Sequence, residues 1–167
     1  AVKRVQAGEI GDIVAIEGVY NTGPLWHRGR QPDWTEMEFQ MRNWYYFTWL
    51  SGDFNVEQHV HMLDLCSWLK GEYPVRAVGT GGRQVRTGPE YGHIYDHFAI
   101  VYEYQNGVKL FAQCRQMARC QNDISAHVMG TRGTAEISTR RMVITGPRAW
   151  QFRGEPTNHF QVEHDEL

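Results

Sequence analysis

Between residues 96 and 152 the chain turns back on itself three times, and that constrains its fold more than any other feature. Segments 96–104 and 108–117 flank Gln105-Asn106-Gly107. An Asn-Gly pair accepts the left-handed angles of a type I′ turn, which joins antiparallel strands. Segments 124–130 and 135–138 flank Thr131-Arg132-Gly133, and segments 142–145 and 149–152 flank Gly146-Pro147. The second half therefore predicts an antiparallel meander. In segment 96–104, Phe98, Ile100, Tyr102 and Tyr104 fall on one face and Ala99 and Val101 on the other. A sheet apolar on both faces is covered on both. The chain's own helices supply one cover; the other is a second subunit or a further part of the polypeptide. The class is α+β, one large and mostly antiparallel sheet with helices packed on one face.

The first half reads less regularly. Residues 1–8 end a helix at Gly8, and the β-branched run 13–20 is a strand. Residues 22–40 hold Gly23, Pro24, Gly29 and Pro32 with no clear period and read as a long loop, a kind that is often functional. Residues 43–50 are aromatic and fit helix or strand. The clearest helix is 54–70, closed by Gly71, with Asp53 or Ser51 at its start. Residues 75–78 begin a strand that runs into Gly79, Gly81 and Gly82 and then a second loop, 83–95. This glycine cluster is no dinucleotide fingerprint, because Gln84 stands where a third glycine is needed and Pro89 follows instead of a helix.

The helix at 54–70 carries the chemistry. At about 100° per residue, with Glu57 at the origin, His61, Asp64 and Trp68 fall within roughly 40° of it. Val60, Met62, Leu63, Leu65, Cys66 and Leu69 occupy the other faces, so the helix is expected to be largely buried. A carboxylate within reach of an imidazole fixes its tautomer and favours its charged form, while burial opposes that charge. Glu57, His61 and Asp64 thus read as a general acid/base constellation or as a polar network that only locks the helix. His59 falls on the opposite side from His61, so the pair cannot hold one metal. A metal would need His61, Asp64 and a third ligand from His93 or His97, and none is expected.

Other classes are excluded by composition. Seventeen Lys and Arg against nineteen Asp and Glu leave a net charge of −2, no footprint for nucleic acid or an anionic membrane. No apolar run reaches a membrane-spanning length. Cys66, Cys114 and Cys120 are an odd number without a C-x-x-C pair and read as free thiols. Trp26, Trp34, Trp44 and Trp49 crowd one stretch beside Arg30, Arg42 and Asn43. They fill a core or an interface, or they stack on sugar rings. Tyr91, His93, Tyr95, Asp96 and His97 form a second polar-aromatic knot.

The run Ser51-Gly52-Asp53-Phe54-Asn55-Val56-Glu57-Gln58-His59-Val60-His61-Met62-Leu63-Asp64, with Trp68 beyond it, resembles the second domain of the Gfo/Idh/MocA oxidoreductases. It is most similar to a bacterial branch carrying EQ-x-VH-x-x-D on this helix. The stretches GDIVAI, RQPDW, MRNWYYFTWLSGD, GGRQVRTGPEYGHIYDHF, CRQ and GTRGTAE fit the same branch. The resemblance implies an N-terminal Rossmann domain that binds NAD or NADP, followed by an α+β domain for substrate and subunit contacts. Residues 1–167 would be that second domain, a fragment that opens without Met and closes at NHFQVEH on a truncated helix. The implied activity moves hydride between a sugar or polyol carbon and nicotinamide. His61 and Glu57 would be catalytic, although the family usually has Asp where Glu57 stands. Asp64, Asn43, Trp44, Tyr91 and His93 would hold the sugar-like substrate. A homo-oligomer through the sheet face is expected, and turnover is not expected from this fragment alone. The alternatives are an NAD-dependent glycoside hydrolase, a non-catalytic oligomerisation or binding module, and a metal-dependent hydrolase.

Overall fold

A computed structural model of the chain describes residues 1–154, so the expected closing helix lies outside the described residues. Eight strands form one sheet in the order β2-β3-β4-β1-β5-β6-β7-β8. They are β1 Ile13–Thr22, β2 Arg76–Gly82, β3 His97–Glu103, β4 Lys109–Gln116, β5 Asp123–Gly130, β6 Thr134–Ser138, β7 Met142–Thr145 and β8 Trp150–Gln151. All three predicted turns join antiparallel neighbours. Gly107 takes the expected positive φ of 84°.

The meander is not continuous. β1 lies between β4 and β5, parallel to the first and antiparallel to the second. The reason lies in residues 117–122. They carry no tight-turn pair, and six residues are enough to step across one intervening strand, about 10 Å.

Helices cover one face, as expected. They are α1 Val2–Gln6, α2 Glu36–Arg42, α3 Thr48–Ser51, α4 Phe54–Glu57 and α5 Val60–Lys70, with a 3₁₀ turn at Trp44–Tyr46 before α3. One core, with Ile16, Cys66, Leu69, Leu110, Ala112 and Val128, lies between α5 and the sheet. A second, with Phe39, Tyr45, Tyr46, Phe47, Phe54, Ile94 and Cys114, lies under the loops. The other face carries Val78, Val101 and Phe111 side by side across β2, β3 and β4, all exposed. From β1 onward that row turns polar, through Glu17, His127 and Glu136.

Three expectations are corrected, and one left open between helix and strand is decided. The long loop at 22–40 ends in α2, whose start Thr35 caps by accepting a hydrogen bond from the Glu38 amide. Of residues 43–50, 44–46 form the 3₁₀ turn and 48–50 lie in α3, with Asn43 and Phe47 outside both. The glycine cluster continues β2 instead of leaving it, because Ile100 and Phe98 lie across Gly79 and Gly81. A Cβ at those positions would meet them at 2.8 and 2.6 Å. The helix expected at 54–70 is broken at Gln58 and His59, where the His59 amide reaches back to the Phe54 carbonyl instead of making the regular bond. Replacing Phe54, fully buried with its ring edge-on to Tyr20, by alanine should cost about 3–5 kcal/mol of folding stability, measured by urea unfolding.

Candidate active site

The break between α4 and α5 shapes the site. Asp53 enters α4 at φ 80°, and its carboxylate accepts hydrogen bonds from the Phe54 and Tyr95 amides. At the break, His59 is fully buried. Its Nδ1 lies 2.9 Å from Asn55 Oδ1 and its Nε2 donates to the Gly18 carbonyl of β1 at 3.3 Å. Gly18 leaves room for this approach, since a Cβ there would touch Cys66 Sγ at 3.0 Å. Burial holds the His59 ring below its ordinary pKa, in keeping with a neutral histidine pinning helix to sheet.

The sequence places the ionisable stripe in buried surroundings, but α5 buries only one side. His61, Asp64 and Trp68 stand on its exposed side, with Val56 and Val60 also exposed nearby. Glu57 alone is half-buried. Among the described residues no hydrogen bond joins Glu57 or Asp64 to His61, so the expected carboxylate–imidazole contact is not made. Desolvation raises the Glu57 pKa, against the pull of the His61 imidazole and the Tyr45 hydroxyl, and its buried Oε2 has no hydrogen-bond partner. Asp64 and Trp68 border a groove of about 360 Å³ with Ser67 and Tyr73.

The remaining predicted contacts gather elsewhere. Asn43 is fully buried, and its amide is committed to backbone: Oδ1 accepts from the Arg28 amide, and Nδ2 donates to the Arg28 and Phe39 carbonyls. It therefore fastens the 22–35 loop and is not free to meet a substrate. Trp44 is partly exposed and leans on Trp26, with centroids 6.1 Å apart. Tyr91 packs against His27 and Tyr46. His93 is exposed with its ring edge on Phe47. No group of three or more His, Cys, Asp or Glu side chains among the described residues is placed to hold a metal.

A buried polar network joins the two regions. Gln116, at the end of β4, donates from Nε2 to the Tyr45 hydroxyl at 2.7 Å and to Gln58 Oε1 at 3.1 Å. Its Oε1 accepts from the Arg86 guanidinium, which also donates to the Tyr95 carbonyl at 2.7 Å. Asp96 receives the amides of Gln84, Val85 and Arg86 on one oxygen and faces His97 Nδ1 with the other. Burial alone would raise the Asp96 pKa, but these hydrogen bonds outweigh it and hold the carboxyl below its ordinary range. Tyr45, Gln116 and Arg86 were given no role from sequence. The available signal was period two: Leu110, Ala112 and Cys114 point inward along β4, and Gln116 is next on that face.

The model of the GFO/IDH/MocA C-terminal domain matches residues 1–136. The chain belongs to the GFO/IDH/MocA family. No curated protein matches it in sequence. Among solved structures, this family domain is similar to an aldose-aldose oxidoreductase from Caulobacter crescentus complexed with glycerol, at 19% identity and TM-score 0.70, over 98% of this chain and 47% of that one. It is similar to levoglucosan dehydrogenase in complex with NADH and levoglucosan, at 16% identity and TM-score 0.70, over 93% and 43%. It also shares its fold with the super-repressor mutant of Gal80p from Saccharomyces cerevisiae, at 15% identity and TM-score 0.69, over 94% and 43%. The chain thus spans less than half the length of these neighbours.

The raised carboxyl of Glu57 has a consequence for stability. Folding favours its protonated form, so stability is highest below the ordinary carboxyl range and declines as pH rises through the raised value. Glu57→Gln should therefore melt at a higher temperature than the unaltered protein at pH 7, and the difference should close near pH 4 in thermal unfolding.

Proposed function

We propose that this domain is the substrate-binding half of an NAD(P)-dependent oxidoreductase acting on a hydroxyl of a sugar-like molecule. The observation that carries the reading is a half-buried carboxylate with an unpartnered oxygen, Glu57, under an exposed imidazole, His61, on two abutting helices. As a carbon of the substrate loses hydride to the nicotinamide, His61 accepts the proton of the hydroxyl on that carbon, while a neighbouring hydroxyl donates to Glu57. Asp64 holds a neighbouring hydroxyl, and Trp44, Tyr91 and His93 wall the approach.

A nicotinamide, carried by a Rossmann domain earlier in the polypeptide, supplies the hydride acceptor when bound. The residues present fit such a partner. Val56, Val60 and Trp68 form an exposed apolar rim near His61, suited to excluding water from a hydride transfer. Two neighbours of the same fold, one complexed with glycerol and one with NADH and levoglucosan, support the substrate class.

The uncovered face of the sheet fits a homo-oligomer. Val78, Val101 and Phe111 make a contiguous apolar patch there, and such patches mark interfaces. Phe111→Glu should shift the protein to a smaller species in analytical ultracentrifugation.

A non-catalytic module is the second reading, favoured by the neighbour described as a super-repressor. His61→Ala separates the two. In the full-length protein it should lower turnover on the order of 10²–10⁴-fold with folding and assembly unchanged. Unchanged turnover would leave the module.

A further inference from the structure

We propose that the cleft around Arg86 is an anion subsite that holds the acidic group of the substrate, making that substrate a sugar acid or sugar phosphate instead of a neutral sugar. This rests on the oxidoreductase reading above and deepens it.

The cleft has a volume of about 410 Å³ and lies between the 24–27 loop, the 85–91 loop and the residues that follow β4. Its walls include His27, Tyr46, Arg86, Tyr91, Gln116 and Arg119, and no Asp or Glu lines it. Arg86 is only 5% exposed. Its guanidinium meets neutral oxygens only, Gln116 Oε1 and the Tyr95 carbonyl, and its buried Nε has no partner. A buried guanidinium is costly to keep, and here the charges of Asp96 and Asp53 favour it only from beyond ion-pair distance.

The carboxylates nearest to it are already engaged. Asp96 is taken up by three amides and His97, and Asp53 by the amides of Phe54 and Tyr95. Arg86 therefore has no ion pair among the described residues, and neither does the rim residue Arg119. Arg119 is held at φ 62°, a conformation a non-glycine residue adopts at a cost. The planar fork of an arginine matches a carboxylate or a phosphate, and both give the same pattern of recognition here. Gln116 joins this cation to Tyr45, whose hydroxyl lies close to Glu57, so the subsite and the proposed reacting centre are neighbours.

The test titrates the full-length protein carrying this chain with gluconate, glucose 6-phosphate and glucose in a calorimeter. At least one of the two anions should bind tenfold or more tighter than glucose. That margin should shrink several-fold in Arg119→Gln, an exposed change that spares the core, or in Arg86→Gln with folding checked by circular dichroism. A margin for gluconate assigns a sugar acid, and a margin for glucose 6-phosphate assigns a sugar phosphate. Equal affinity for all three, or a margin unchanged in both variants, overturns the proposal. Because the readout is binding, it is separate from turnover. His61→Ala should leave the anion margin in place, so a failed hydride-transfer reading and a failed anion subsite give different results.

Discussion

β1 is hydrogen-bonded along both edges, parallel to β4 and antiparallel to β5, and the rest of the domain is hung on that double pairing. It unites hairpins from the second half of the chain into one eight-stranded sheet. A strand central in the sheet and buried on one face by α5 must be apolar on that face, which Ile16 and Gly18 satisfy. Parallel pairing also makes β1 and β4 end at the same edge, with Thr22 beside Gln116. Loop 22–35 and the residues after Gln116 consequently emerge together, and the Arg86 cleft forms between them.

The helix break follows from the same strand. His59 reaches the Gly18 carbonyl from the buried side, so the backbone at Gln58 and His59 departs from regular helix. That departure separates Glu57 from the register of His61. Glu57 goes under the surface beside Tyr45 while His61 stays in solvent. Two groups that a straight helix would expose equally thus sit in different dielectric surroundings, and desolvation pushes Glu57 toward its neutral form.

The network from Glu57 through Tyr45 and Gln116 to Arg86 ties three chain segments far apart in sequence. The bonds of Gln116 to Tyr45 and to Arg86 are buried and polar, so losing one partner would strand another. The loops over the second core are held by comparable devices. The Asn43 amide grips Arg28, and the Tyr46 hydroxyl donates to the Trp26 carbonyl at 2.9 Å. The crowded tryptophans divide accordingly. Trp34 lies under the Arg42 guanidinium at 4.7 Å, and Trp49 donates to Gln40, so both brace α2, whereas Trp44 leans on Trp26 nearer the surface.

The sequence by itself determined the class, the hairpins and the helical character of the segment carrying Glu57, His61 and Asp64, but not its break into α4 and α5. These depend on local patterns, namely the Asn106-Gly107 turn, strand alternation and the Gly71 stop. The Thr35-x-x-Glu38 cap is equally local, but the prolines and glycines before it mask the helix it starts. Tertiary structure alone decided three things. β1 entered the middle of the sheet because inter-strand pairing is a choice among distant segments. The stripe on α5 faced solvent because helix burial depends on what packs against it. Arg86 and Gln116 met because a buried charge and its neighbours come from loops and strand ends that no spacing rule connects.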